Sequence, residues 1–427
     1  MKIRFLIFLT ALIFIVPLTA CANGAVELPP PDNSGEIKIL TVWTLWSNND
    51  NAHAKSFYMA LEGFKDENPD IIIKHDTTEN EAYKTKIKTA IAVGEAPDVF
   101  FAWGGGFVQP FVADGALLQL DDYLDENTKG RILGKALDNF TYDGKIYGLT
   151  FAKWVGVLYC NEEMFGKAGI KIPETHDELM AAVEGFKARG IVPLACGAKD
   201  GWPAMFYQNV AALRTAGADV VNETLAGNAT FETPEMLESV KLVDELVKAG
   251  AFGTGALALT NDEAKLAFLR GDVPMIYQGS WFAGEIRDPS RSLVVNKVVA
   301  KNWPSVFGGA DPSQILGGAI DGLCISSNAS DPEIAYKFIS YVTENMSREC
   351  FRLGGGINTW ELDTSGMEID PLVEQIQDMA ERASGSTLAW DTILKVEAAR
   401  RHLSLCQEIF ASQIEPEAFV AEMQKLQ

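Results

Sequence analysis

The chain has 427 residues, 47% apolar and 22% charged, a globular composition that is too long for one core and excludes wholesale disorder. Its 36 Lys and Arg stand against 58 Asp and Glu, a formal net charge of −22. A surface that acidic repels phosphate backbones and no Lys/Arg run offsets it, which argues against nucleic-acid binding.

At the amino end, Lys2 and Arg4 precede an apolar run from Phe5 to Val16, then Leu18-Thr19-Ala20 and Cys21. The run is short of the roughly 20 residues a bilayer span needs, and the pattern reads as a secretory signal over 1–20. The Leu-Thr-Ala-Cys ending resembles the bacterial lipobox. That implies cleavage before Cys21, lipidation of its thiol and a soluble body tethered to the membrane. Residues 21–35 are rich in Pro, Gly, Asn and Ser, lack an apolar period, and read as a flexible linker.

The β-branched run from Ile37 to Trp43 predicts a strand. Phe57, Ala60, Leu61 and Phe64 then fall on one face of a helix. Ile71 to Ile73 predicts a second strand, 80–93 a second helix and Val99 to Phe101 a third strand. This alternation implies βαβ units and a mainly parallel sheet. Residues 145–150 and 155–159 are extended, and helices follow near 175–189 and 204–216. Thr233-Pro234 has the form of an N-cap followed by proline at the first helical position, with Met236, Val240, Val243 and Val247 inward. A helix over 262–270 ends at Gly271, and Pro274 to Tyr277 is a buried strand. Asp331-Pro332 starts another capped helix, and 392–427 is helical.

Chemistry has few anchors. The four His, at 53, 75, 176 and 402, are scattered, and HExxH, GxSxG and GxxxxGK[ST] are all missing. No catalytic residue, cofactor or metal is assigned, and an enzyme is disfavoured. Cys160, Cys196, Cys324, Cys350 and Cys406 form no CxxC and are expected to be mostly buried thiols.

The tryptophans carry more information. Trp46 precedes Ser47-Asn48-Asn49, Trp103 opens onto Gly104, Trp202 lies between Gly201 and Pro203 with Tyr207 close by, Trp281 follows Gln278-Gly279-Ser280, and Trp390 precedes Asp391. A sugar ring has an apolar C–H face and a rim of hydroxyls, which suits an indole plane flanked by Asn, Asp and Gln.

Several segments in order resemble a known family: Gly94-Glu95-Ala96-Pro97-Asp98-Val99, Tyr142 to Leu149, Leu158-Tyr159-Cys160-Asn161, Ala267 to Gly271, Met275 to Trp281, and Gly317-Gly318. From about Ile37 onward the chain resembles the bacterial extracellular solute-binding proteins of family 1, the carbohydrate class serving ABC importers. Cys160 departs from the Tyr-Asn pair usual there.

The resemblance implies an α/β, two-lobe periplasmic-binding-protein fold (type II), each lobe a mainly parallel sheet flanked by helices, with the ligand cleft between them. The first lobe is expected to take 36–150 and 283–328, the second 151–282 and 329–427. The resemblance puts Trp46, Asn48, Asn49, Glu79, Asn80, Trp103 and Gly104 on the first lobe's cleft face, and Trp202, Tyr207, Trp281, Trp390 and Asp391 on the second. Lys153 and Asp321 fall near the crossings, and Gln278 and Gly318 complete the candidate set. In maltodextrin-type relatives, aromatics matching Trp202, Trp281 and Trp390 stack on sugars; in raffinose-type relatives, an acid matching Asp391 accepts hydroxyl hydrogen bonds. Trp43, Trp154 and Trp303 are expected in the core.

The expected function is a monomeric, lipid-anchored receptor that binds an uncharged oligosaccharide and presents it to the transmembrane subunits of an ABC permease. The alternatives are a glycoside hydrolase, a surface glycan-binding protein without a transporter, and a receptor for a cation.

Overall fold

The computed structural model describes residues 37–47 and 51–427; the signal segment, Cys21, the linker, Asn48 and Asn49 lie outside the described residues. The early alternation forms as β1 (Lys38–Thr44), α1 (Ala52–Glu67), β2 (Ile71–Thr77), α2 (Asn80–Val93) and β3 (Val99–Trp103). Phe57, Ala60, Leu61 and Phe64 are all buried, since spacings of three and four keep them on one side of α1. The Asn51 side chain accepts from the Ala54 amide at 2.9 Å and starts that helix, while Gly94 closes α2 at φ 74°, a left-handed conformation suited to glycine.

The two extended stretches after residue 145 merge into one long buried strand, β4 (Gly148–Asn161). It is followed by α3 (His176–Lys187), β5 (Leu194–Ala195), α4 (Trp202–Thr215), α5 (Pro234–Ala249) and α6 (Asn261–Leu269). Next come β6 (Met275–Gly279), β7 (Val298–Lys301), β8 (Ile315–Ile325), α7 (Pro332–Leu353), α8 (Val396–Phe410) and α9 (Pro416–Lys425). Thr233 and Asp331 cap α5 and α7 ahead of their prolines, and Gly271 follows α6 at φ 77°.

A single sheet runs β2-β1-β3-β8-β4-β6-β5, with β7 also paired to β4. Its ends are parallel, β1 with β2 and β3, and β5 with β6. Its centre is antiparallel: β8 pairs with β3 and β4, and β4 with β6. The mainly parallel sheets expected from βαβ alternation are therefore parallel only toward the edges. The long strands β4 and β8 run past one another in opposite senses and set the pairing between them.

Those two strands connect three apolar cores. Leu149 and Phe151 of β4 and Leu323 and Ile325 of β8 join Leu40, Phe64 and Phe100 in the first. Further along β4, Trp154, Leu158 and Cys160 enter a second core with Met205 and Val240, while Val155, Val157 and Tyr159 enter a third with Phe268 and Phe282. The split follows from the two-residue period of a strand, which sends alternate side chains to opposite faces.

The cores draw together segments far apart in the chain. Phe338, Ile339 and Val342 of α7 belong to the first core, and Phe338 meets Phe64 of α1 with ring centroids 5.0 Å apart. Within 329–427, α7 therefore packs with the first core. Ala283, Ile286, Val294 and Val298, within 283–328, pack with Tyr159 and Phe268 in the third core. The five described cysteines are free and buried as small apolar groups. Among the described residues no helix is long and apolar enough to cross a membrane.

Candidate functional site

Where β4 and β8 run side by side, Trp154, Ile320 and Asp321 line a cavity of about 640 Å³. One wall comes from elements of the first core and carries Trp46, Glu79, Asn80, Lys84, Lys88 and Trp103. The other carries Trp202, Phe206, Asn261, Lys265 and Trp281. Asp391 and Arg400, from the carboxy-terminal segment, complete the lining. The volume falls in the range of small-molecule sites, roughly 300–1,000 Å³.

The aromatic side is built as a packed set. Phe206 stacks on Trp154 with centroids 5.3 Å apart and planes 12° apart, and Trp281 stands edge-on to Trp154 at 5.0 Å. Trp202, one helical turn before Phe206 on α4, meets it at 5.0 Å and 67°. Trp202 and Trp281 remain half-buried, so each keeps ring surface free toward the cavity. The Trp281 ring lies directly over Gly279, where a Cβ would come within 2.1–2.3 Å of three ring carbons. Only glycine allows that approach. Across the cavity Trp103 is half-buried against Phe101 at 4.8 Å, with the Lys84 Nζ 5.3 Å from its centroid.

Polar groups sit between the rings. The Gln278 amide donates to Asn261 Oδ1 at 2.6 Å and so positions Asn261 from behind. Asn80 donates to Glu81 at 3.3 Å, and Glu81 in turn accepts from Lys84 at 2.9 Å. Lys265 bonds Glu285 at 2.8 Å and Asp262 at 3.0 Å. His53 is held neutral, burial pushing its pKa down to about 4. Asp321 is 6% exposed, and burial pushes its carboxyl up to about 7. Burial also raises the Asp391 carboxyl, against the opposing pull of the Lys84 ammonium. Asp321, shifted by burial alone, gains most from a hydroxyl brought by a ligand, whereas backbone amides already donate to Asp391.

Of the residues read from the sequence, Trp46, Glu79, Asn80, Trp103, Trp202, Trp281, Asp321 and Asp391 line this cavity. Trp46 is only 2% exposed, wedged among Phe57, Phe101 and Phe151, and Glu79 spends its carboxylate on the amides of Glu81 and Ala82 at the start of α2.

Six candidates do not line it. Trp390 is fully buried: its ring stacks on His402 at 4.8 Å and 20°, and its amide donates to Asn209 Oδ1. Tyr207 points into the second core, its hydroxyl donating to the Ala195 carbonyl at 2.8 Å. Gln278 lies behind Asn261, and Lys153 lies on β4 where that strand pairs with Ile357, away from the cavity lining. Gly104 abuts the Asn139 backbone and Gly318 the Leu388 side chain.

In the opposite direction, Trp154, assigned to the core from sequence, lines the cavity, while Trp303 is buried as expected and Trp43 is half-buried beneath Lys86. Sequence reading also missed Phe206, Asn261, Lys84, Lys88, Lys265 and Arg400. The i, i+4 spacings Trp202/Phe206 and Lys84/Lys88 were the available signals.

Residues 60–349 match the family model described as bacterial extracellular solute-binding protein. An uncharacterized ABC transporter extracellular-binding protein of Pyrococcus horikoshii is 29% identical over 305 residues, covering 68% of this chain and 69% of that protein. A structure solved in work on xylan utilization by Caldanaerobius polysaccharolyticus is similar with a TM-score of 0.87 and 39% identity, over 91% of this chain and 99% of that one. A chitin oligosaccharide binding protein is similar with a TM-score of 0.82 and 27% identity, over 92% and 98%.

Proposed function

Because the chain belongs to the bacterial extracellular solute-binding protein family, we propose that it is the substrate-binding component of a carbohydrate ABC importer. It takes an oligosaccharide into the cavity and delivers it to the permease. The observation that carries this reading is the convergence of Trp103, Trp154, Trp202 and Trp281 on one cavity with Asn80, Asn261, Asp321 and Asp391 among them.

Magnitudes favour a useful affinity. A stacked ring that removes about 100 Å² of apolar surface from water contributes roughly 2.5 kcal/mol. Three such platforms with hydrogen bonds, less the ordering cost, leave roughly −8 kcal/mol, about micromolar. The names of the ABC-transporter and chitin-oligosaccharide relatives support the same reading. In this proposal the segments around the first core form one lobe and those around the other two form the second. A ligand touching both favours the closed state by its differential affinity, which lets the permease distinguish loaded from empty. The body works as a monomer held at the outer face of the cytoplasmic membrane through lipid on Cys21.

A thermal-shift panel of neutral and acidic oligosaccharides, with spermidine and iron as controls, tests the assignment. Ligand at 100 times Kd adds roughly 2.7 kcal/mol of stability and a visible rise in Tm. Silence across the sugars with a shift for a cation overturns the reading. Reducing sugar released on prolonged incubation overturns it in favour of a hydrolase.

A further inference from the structure

The cavity is not electrically uniform. Lys84 and Lys88, one turn apart on α2, both line it, and Arg400 on α8 faces the same space. Lys84 is paired with Glu81 at 2.9 Å. Lys88 has no carboxylate within ion-pair distance among the described residues; its half-buried ammonium lies 4.7 Å from the Phe107 ring centroid. Arg400 is exposed and likewise without an ion-pair partner among the described residues. Asp391 lines this side as well, and both lysines draw on its carboxyl from beyond ion-pair distance.

Lys88 sits in surroundings that disfavour its charge. Burial, followed by the repulsion of Lys84, holds its pKa below the ordinary lysine value, and Arg400 acts in the same sense. Placing an unpaired ammonium partly out of water is costly unless a counter-charge arrives. It stands out further in a chain of formal charge −22, where acids are plentiful for pairing. A neutral sugar would leave Lys88 and Arg400 with no close counter-charge. A carboxylate on the sugar would supply one, at short range and in a partly water-excluded site.

We propose that the ligand is an oligosaccharide carrying a uronic acid, its carboxylate seated against Lys88 and Arg400 and its rings on the tryptophans. This rests on the receptor reading above and narrows its substrate class to acidic oligosaccharides, in place of the uncharged sugar expected from the sequence. Lys265 on the opposite wall is spent on Glu285 and Asp262, so the cavity presents one cationic end and not two.

The test is calorimetric titration of the protein with a neutral xylo-oligosaccharide and with the same chain bearing one glucuronic acid. The acidic sugar is expected to bind at least tenfold more tightly at low salt, about 1.4 kcal/mol. Its advantage should shrink as ionic strength rises to about 1 M, where screening acts within roughly 3 Å. Lys88→Gln should cut the ratio of acidic to neutral affinity at least fivefold. Arg400→Gln, at an exposed position with no effect on packing, should cut it in the same direction and guards against a folding artefact at Lys88. Equal affinity for the two sugars overturns the inference, as does a ratio unchanged in both variants. Tight binding of the neutral sugar alone overturns only this inference. Binding of neither, with binding of a cation, overturns the receptor reading itself.

Discussion

Replacing Asp321 by asparagine isolates the cost of burying one carboxylate at the place where β4 and β8 run past one another. Asp321 is 6% exposed, no described side chain or amide donates to its carboxylate, and burial lifts its pKa to about 7 from an ordinary 3.8. Because the native pKa is raised, the folded chain holds this proton more firmly than the unfolded chain. The stability associated with it is fully present below about pH 4 and is lost as pH rises through 7. A shift of about three units corresponds to roughly 4 kcal/mol. An amide at this position keeps the shape without ionising. Asp321→Asn should therefore match the parent below about pH 4, exceed it by roughly 1.5 kcal/mol at pH 5 and by up to about 4 kcal/mol at pH 8. Over the unit Lys38–Gln427, an unfolding entropy of about 2.1 cal/mol/K per residue turns that into roughly 5 °C in Tm. Calorimetric melts of both proteins at pH 5 and pH 8 read the difference directly. An equal offset at the two pH values, or a variant that is less stable at pH 8, refutes burial as the source of the shift.

Three further outcomes follow from the packing. Gly279→Ala puts a methyl against the Trp281 ring, so it should weaken sugar binding about tenfold or more by displacing that platform while Tm changes little, read by titration and melting together. Trp202→Ala should lose roughly 2.5 kcal/mol of binding with a modest loss of stability, whereas Trp390→Ala should cost about 3–5 kcal/mol of stability through the cavity left on His402; a chemical denaturation series beside titration separates the two. Arg214 is 1% exposed and donates to the carbonyls of Trp303 and Gln314, each at 2.9 Å, so Arg214→Ala should destabilise by about 3–5 kcal/mol, with native Tm as the readout.

The contrast between Trp281 and Trp390 marks the limit of reading along the chain. Both are tryptophans beside hydrogen-bonding neighbours at the edge of an element, and locally they are alike. Trp281 ends in the cavity because the bare Gly279 behind it lets the ring fold down. Trp390 ends in the core because Asn209 and His402, far apart in sequence, meet it there. Lys84 and Lys88 were visible as a pair on α2, but nothing near them pointed to Arg400 more than three hundred residues later. Likewise the apolar face of α7 was legible from Ala335, Phe338, Ile339 and Val342, while its partner, α1, was not.

What the sequence alone determined is therefore local: the capped starts at Thr233 and Asp331, the buried faces of α1 and α7, the β-branched strands, and aromatics set among hydroxyl-binding side chains. These depend on spacings of two to four residues and on backbone preferences, which act whatever the rest of the chain does. The tertiary structure decided the antiparallel pairing of β4 with β8, the allocation of segments to three cores, and which tryptophans keep a face free. Those outcomes depend on contacts between distant segments. A hydrophobic pattern says that a face must be covered, but not what covers it.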